Sequence, residues 1–239
     1  MQKTKLNRFI QKYNLNGNVN SVKWNSKDKS LSTNFITSDK SLMGNVKVDN
    51  FDFSDAELGI YTTDQLQRLL SVLGNDVTMD ITKSGDRAIS LNVVNGSVSV
   101  DYTLSDLSVI PDPPSLKRLP EFDTEIKIDS NFIDTFIKGK SALADTDTFS
   151  IVNDSKGARI VIGYASTNTN RVNIPVDTTK NGLTDVISFN ANLFRDVLSA
   201  NKECTSAVLE VSNEGLARIN FKVDDYDSTY YIVATQGVD

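Results

Sequence analysis

The 239-residue sequence contains no histidine. That absence excludes Ser-His-Asp and Cys-His nucleophilic catalysis and any imidazole-ligated metal centre. The single cysteine, Cys204, excludes an internal disulfide and a thiolate zinc cluster, and fits a reducing compartment. No apolar run is long enough for a membrane-spanning helix, so no membrane association is expected. The basic amino-terminal stretch MQKTKLNRFIQKYNLN has neither the apolar core nor the cleavage site of a secretory signal. Proline is scarce, and four of the five prolines crowd into PDPPSLKRLP, Pro111 to Pro120. What remains is ample for folding: 39% of residues are hydrophobic, enough for one large domain or two small ones with cores of their own.

Charge is unevenly placed. The net charge is -6, yet no acid precedes Asp28, while Lys3, Lys5, Arg8, Lys12, Lys23 and Lys27 do. Such asymmetry suggests a basic surface on an acidic body.

Apolar residues at helical spacing mark four short helices. Thr4 to Tyr13 carries Leu6, Phe9, Ile10 and Tyr13, and Thr63 to Leu73 carries Leu66, Leu69, Leu70 and Leu73. Ser130 to Leu143 carries Phe132, Ile133, Phe136 and Ile137, and Ala191 to Asn201 carries Phe194, Val197 and Leu198. Thr62 or Thr63, Asp129 or Ser130, and Asn190 are suitable N-caps. Gly139 is expected to end or loosen the third helix. Between the helices, short alternating runs such as INFKV (219–223) and IVIGY (160–164) predict strands with one covered face. Turn sequences such as Ser84-Gly85-Asp86, Asn95-Gly96 and Asn213-Glu214-Gly215 separate them.

Helix starts recur about every 60 residues, giving one unit of strand, helix and three strands repeated four times, with the first leading strand missing or very short. The proline-rich stretch separates the second unit from the third as an extended linker. The expected organisation is an α+β chain of two domains, 1–110 and 123–239, joined by a connector over 111–122, each domain an internal duplication.

LGIYTTDQLQRLLSVLGNDVTMDI (58–81), PEFDTEIKIDSNFIDTFIKGKSAL (120–143) and the ending STYYIVAT (228–235) resemble DNA polymerase sliding clamps, specifically the T-even bacteriophage type. The resemblance is one of pattern across nearly the whole chain. It implies the DNA clamp fold, with helices inside and sheets outside a homotrimeric ring. It further implies a processivity factor that encircles double-stranded DNA without reading sequence and tethers a polymerase through its C-terminal peptide. A clamp loader would be a further partner, and the compartment would be the cytoplasm, of an infected bacterial host if the chain is viral. The family pairs the last strand of domain one with a strand of the neighbour's domain two, here about 97–104 and 170–176.

A clamp needs cations that meet phosphates without base readout. The first helix offers Lys5, Arg8 and Lys12 as one stripe taken to lie opposite its apolar face, with Lys3 nearby; the other helices offer Arg68, Lys138, Lys140, Arg195 and Lys202. Asp64 and Asp196 weaken that signal, and a solvated polar face is the plainer reading of each stripe. For a partner-peptide pocket the resemblance points to Leu116 and Leu119 on the connector and Tyr231, Val233 and Ala234 at the end, with Leu42 and Met43 as further candidates.

Other signals carry no chemistry. Gly139-Lys140-Ser141 ends a helix instead of opening one, and Asp134 stands where a phosphate-binding loop needs glycine. Asp224, Asp225 and Asp227 lack calcium-loop spacing and are expected to form a solvated turn, as are Asp52, Asp55 and Glu57. Cys204 has no activating neighbour, and Trp24 is expected to pack in a core. No acid-base or nucleophile constellation remains, so an enzyme is not expected, and no cofactor either. The competing readings are a DNA-binding processivity factor that forms no ring, and a structural viral protein of duplicated β-rich domains.

Overall fold

The computed structural model describes residues 2–154, 157–165, 167 and 169–235. The chain divides into two compact units. Unit 1 comprises Met1–Ser38, Gly44–Pro114 and Asp224–Ser228; unit 2 comprises Asp39–Met43, Ser115–Val223 and Thr229–Asp239. The division falls inside the proline-rich stretch, but two five-residue segments belong with the other half of the chain, which sequence blocks could not anticipate.

The first half runs α1 (Lys3–Asn14), β1 (Val22–Lys27), β2 (Ser30–Ile36), β3 (Leu42–Val48), β4 (Ala56–Ile60), α2 (Thr63–Ser71), β5 (Thr78–Ser84), β6 (Arg87–Asn95) and β7 (Val98–Thr103). The second runs β8 (Thr124–Asp129), α3 (Ser130–Ala142), β9 (Thr148–Asp154), β10 (Gly157–Ile162), β11 (Val172–Pro175), β12 (Thr178–Asn181), β13 (Ile187–Asn190), α4 (Ala191–Ala200), β14 (Ser206–Val211), β15 (Leu216–Val223) and β16 (Tyr226–Val233). All four helices form where the periodicity places them. The short polar strand β12 was not expected; it adds to β8 through an irregular register.

One pairing rule underlies both units. The strand leading into each helix pairs antiparallel with the first strand after the other helix of its unit: β4 with β1, β8 with β14, and β13 with β9. The missing fourth instance is present as one bridge, Gln2 to Asp76, immediately ahead of β5. The first leading strand is therefore reduced to a single residue, and the sheet β5-β6-β7 has three strands where its counterpart β11-β10-β9-β13 has four.

Helix ends are held locally and from a distance. Asp129 accepts from Phe132 N at 2.7 Å, and Asn190 accepts from Asn192 N and Leu193 N. Neither α1 nor α2 is capped by its own flanking side chain; Asn75 Oδ1 takes Thr4 N and Asn20 Oδ1 takes Asp64 N, each at 3.0 Å. Lys3 Nζ in turn donates to the carbonyls of Leu70 and Leu73 at the end of α2, placing a cation at the negative end of that helix.

Each unit closes around an aromatic cluster. In unit 1, Phe9, Tyr13 and Trp24 meet edge-to-face with centroids 5.5–6.4 Å apart, and all are fully buried. In unit 2, Phe136, Phe149 and Phe194 have centroids 4.8–5.3 Å apart, with Phe189 against Phe149 at 5.7 Å. Such pairs contribute about 0.5–1.5 kcal/mol each beyond area burial. Burial alternates along β15 and β16 as expected. It does not along the IVIGY run: Ile160, Val161 and Ile162 are all buried, as are Phe149 to Val152 in β9, so these strands are covered on both faces.

Gly139 does not end α3, which continues to Ala142. A Cβ there would stand 3.1 Å from Val172 Cγ1 of β11 and 3.2 Å from Ile162 Cδ1 of β10. The glycine lets helix and sheet approach, and burial against the sheet compensates its weak helix propensity. Among the described residues no helix is long and apolar enough to cross a membrane.

Candidate nucleic-acid and partner interface

The outward face of each helix follows from its burial pattern. On α1 Thr4 and Gln11 are exposed and Lys3, Lys5, Asn7 and Arg8 are half-buried; on α2 Gln65, Arg68 and Ser71 are exposed. On α3 the least buried positions are Asn131, Asp134, Lys138 and Ser141, and on α4 they are Asn192, Arg195 and Ser199, with Lys202 exposed just beyond. The faces carry mostly amides and hydroxyls with a cation within the helix, Arg8, Arg68, Lys138 or Arg195, and α3 adds one exposed acid, Asp134. Arg68 and Lys138 make no ion pair among the described residues, whereas Arg195 Nη2 lies 2.8 Å from the nearly buried Asp196.

The stripe Lys5, Arg8 and Lys12 is not opposite the apolar face. At 3.6 residues per turn, Lys5 and Lys12 stand only about 90–110° from the centre of the face formed by Leu6, Phe9, Ile10 and Tyr13; Arg8 stands about 150° away. The covering element is Asp224–Ser228, within unit 1. Lys12 is 0% exposed, its Nζ 5.3 Å from the centroid of the Tyr226 ring. Lys5 Nζ is 2.5 Å from Asp225 Oδ2 and 3.0 Å from the Asn50 carbonyl. Arg8 meets Asp224 at 3.1 Å and stacks over Tyr226 at 4.6 Å. Tyr226 OH donates to the Lys5 carbonyl at 2.8 Å.

The acidic cluster is thus no merely solvated turn: two of its carboxylates pair with Lys5 and Arg8 of the first helix. Hydrogen bonds from Lys5 and then Asn50 hold the Asp225 carboxyl below the usual carboxylate range. Lys140 is a second correction. It is 2% exposed and donates to the carbonyls of Leu143 and Ala144, satisfying the end of its own helix. Lys3, as described, serves the end of α2. Of the nine cations expected to face DNA, Lys12 and Lys140 are buried, and Lys3 and Lys5 are committed to internal partners. Asp134, weighed in the sequence only against a phosphate-binding loop, is an acid on the exposed face of α3.

The expected peptide-pocket residues all fall within unit 2. Val233 is 49% exposed and donates its N–H to the Ser41 carbonyl at 2.9 Å; Ala234 N donates to Gly215 O at 2.8 Å. Leu42 is fully buried and belongs to the core, while Met43, Tyr231, Ala234 and Leu119 are half-buried and Leu116 is 42% exposed. Arg218, missed in the sequence, links the last strand to the connector's end. It pairs with Glu210, donates to the Tyr231 hydroxyl and stacks over Phe122 at 4.6 Å. A lone arginine in an alternating strand gives no advance signal of this.

Edge strands complete the picture. Ser105 N covers β4 by donating to Gly59 O at 2.9 Å, and Thr235 N covers β13 by donating to Ser188 O at 2.8 Å. β7 in unit 1 and β11 in unit 2 each have a strand on one side only. Val98, at the start of β7, is 45% exposed, and Val72, just past α2, is 63% exposed. Cys204 is buried with Sγ 3.2 Å from the Ser206 carbonyl, and the fully buried Trp24 packs in the unit 1 core.

No protein-family model and no curated protein matches the sequence. Solved structures do match. The crystal structure of proliferating cellular nuclear antigen (PCNA) from Entamoeba histolytica aligns over 99% of this chain and 97% of its own, with a TM-score of 0.75 at 14% identity. A. fulgidus PCNA, in a structure with the C-terminal region of FEN-1 bound, aligns over 100% of this chain and 98% of its own, with a TM-score of 0.77 at 14% identity. Duplicated strand-helix-strand units, exposed polar helix faces and end-to-end alignment together establish that this chain has the DNA sliding-clamp fold.

Proposed function

We propose that the protein is a non-enzymatic sliding clamp, a processivity factor that encircles duplex DNA as a homotrimer and tethers a replicative polymerase. The supporting observation is the character of the four exposed helix faces. They offer mostly amides and hydroxyls with a cation on each helix and one acid, Asp134, on α3, which suits weak contact with phosphates and lacks the clustered charge of a high-affinity binder. A clamp that must slide needs weak, sequence-independent contact. The DNA-facing set is Arg68, Lys138 and Lys202, which form no ion pair among the described residues, together with Arg8 and Arg195, each of which would share its charge with an Asp.

Ring closure would pair β7 with β11 of the next subunit, with Val72 and Val98 as apolar contacts beside the joint; burying open edges also removes an aggregation hazard. A. fulgidus PCNA with the C-terminal region of FEN-1 bound supports peptide docking by this fold; for this chain the proposed place is beside Tyr231, Val233 and the connector, for a polymerase tail or a clamp loader. The pattern likeness to T-even bacteriophage clamps favours a viral replication system.

Sedimentation across a range of concentrations tests the ring: the expected species has about three times the 26.3 kDa chain mass. Duplex binding at low salt tests the lining. Arg68→Ser with Lys138→Ser should weaken it and flatten its salt dependence, while Lys12→Met should leave the salt dependence unchanged. A monomer or dimer that binds linear duplex tightly would favour the ringless processivity factor, and no DNA affinity at any salt would refute both DNA-binding readings.

A further inference from the structure

The connector carries two cations that no acid answers. Lys117 and Arg118 are exposed and form no ion pair or hydrogen bond among the described residues. The acids nearest in sequence, and Glu210 beside Arg218, are otherwise engaged. Asp112 takes Lys23 Nζ at 2.8 Å, Glu121 faces Lys180 at 3.3 Å, Glu210 holds Arg218, and Asp123 accepts from Asn213 N at 2.7 Å. Half of the net basic excess that marks the first helix is cancelled by Asp224 and Asp225; here nothing cancels it, although the protein is acidic overall. Leu116 and Leu119 flank the pair, one 42% exposed and one half-buried. Within unit 2, Phe122 and Tyr231 share Arg218, which fixes the end of this segment beside the last strand.

Resting on the peptide-docking reading above, we propose that the connector selects an acidic partner: a peptide whose apolar anchor packs beside Leu116, Leu119 and Tyr231 and whose Asp or Glu residues face Lys117 and Arg118. Charge complementarity at the rim of an apolar site sets partner choice and encounter rate more than raw affinity. Like charge on a competitor is penalised by the same two cations, which gives discrimination as well as attraction.

The test uses the full-length protein and a peptide array presenting one set of apolar-aromatic hexamers between flanks of Glu, Ser or Lys. Glu-flanked peptides should bind about three- to tenfold more tightly than Ser-flanked ones, the weight of two solvent-exposed ion pairs, and Lys-flanked ones more weakly. Lys117→Ser with Arg118→Ser should abolish the ranking while retaining binding, and added salt should shrink it in the unmodified protein. Binding that is lost in Tyr231→Ala but indifferent to flank charge overturns this inference and leaves the docking reading standing. Binding of no set overturns both. A fall in duplex-DNA affinity in the Lys117→Ser, Arg118→Ser protein with no change in peptide ranking assigns these cations to DNA and overturns the inference.

Discussion

Replacing Gly139 isolates the packing between α3 and the edge strand β11. At an open helical site, Gly→Ala stabilises by about 1 kcal/mol through helix propensity. Here the new methyl would sit 3.1 Å from Val172 Cγ1 and 3.2 Å from Ile162 Cδ1, tighter than ordinary van der Waals contact. Overpacking a filled core costs about 1–3 kcal/mol, so the net expectation is between about zero and 2 kcal/mol of destabilisation. A double-mutant cycle separates the two effects. Ile162→Val alone removes the Cδ1 methyl from a fully buried side chain and costs about 0.5–1.5 kcal/mol. In the Gly139→Ala, Ile162→Val protein the alanine methyl occupies the vacated space. The double variant should therefore be more stable than the sum of the singles by about 0.5–1.5 kcal/mol. Urea denaturation followed by far-ultraviolet circular dichroism, with a shared slope, measures all four proteins. A Gly139→Ala gain near 1 kcal/mol, with additivity to within about 0.3 kcal/mol, would refute the close-approach argument.

Lys3→Met should destabilise the chain by about 0.5–1.5 kcal/mol in the same assay, because the carbonyls of Leu70 and Leu73 lose a charged donor at the end of α2. An unchanged midpoint would mean that water serves those carbonyls equally well. Asp225 gives a pH signature. Its folded pKa is depressed by Lys5 and Asn50, so its contribution is present above the ordinary carboxylate pKa and is lost as pH falls through the lower folded value. The unmodified protein should exceed Asp225→Asn in stability at pH 6, with the gap closing only as pH falls below 3.8, the ordinary carboxyl value. A gap that is constant with pH, or that closes as pH rises, would contradict the ion pair.

The legible part of this protein was local. Apolar spacing marked all four helices, turn residues separated the strands, and the duplication followed from counting them, because each signal lies within a dozen residues of itself. Even the shortened first leading strand was visible as a gap, which the Gln2–Asp76 bridge fills. Asp129 and Asn190 were recognisable as caps because each bonds N–H groups two or three residues ahead; the Asn20 and Asn75 contacts to α2 and α1 were not, because they cross 44 and 71 residues.

The sequence by itself determined the repeat, the exclusion of histidine and thiolate chemistry, and the basic opening of the chain. Only the tertiary structure decided which of those cations are available. Lys12 became a core residue, and Lys5 and Arg8 became ion-paired, because a segment more than 200 residues away, Asp224–Ser228, folds over one flank of α1. Lys140 turned inward to its own helix end, while Arg68, Lys138, Lys117 and Arg118 remained in solvent. Charge counts are a property of composition, but desolvation and pairing depend on what lies within a few ångströms, and that is set by long-range contacts no local pattern encodes.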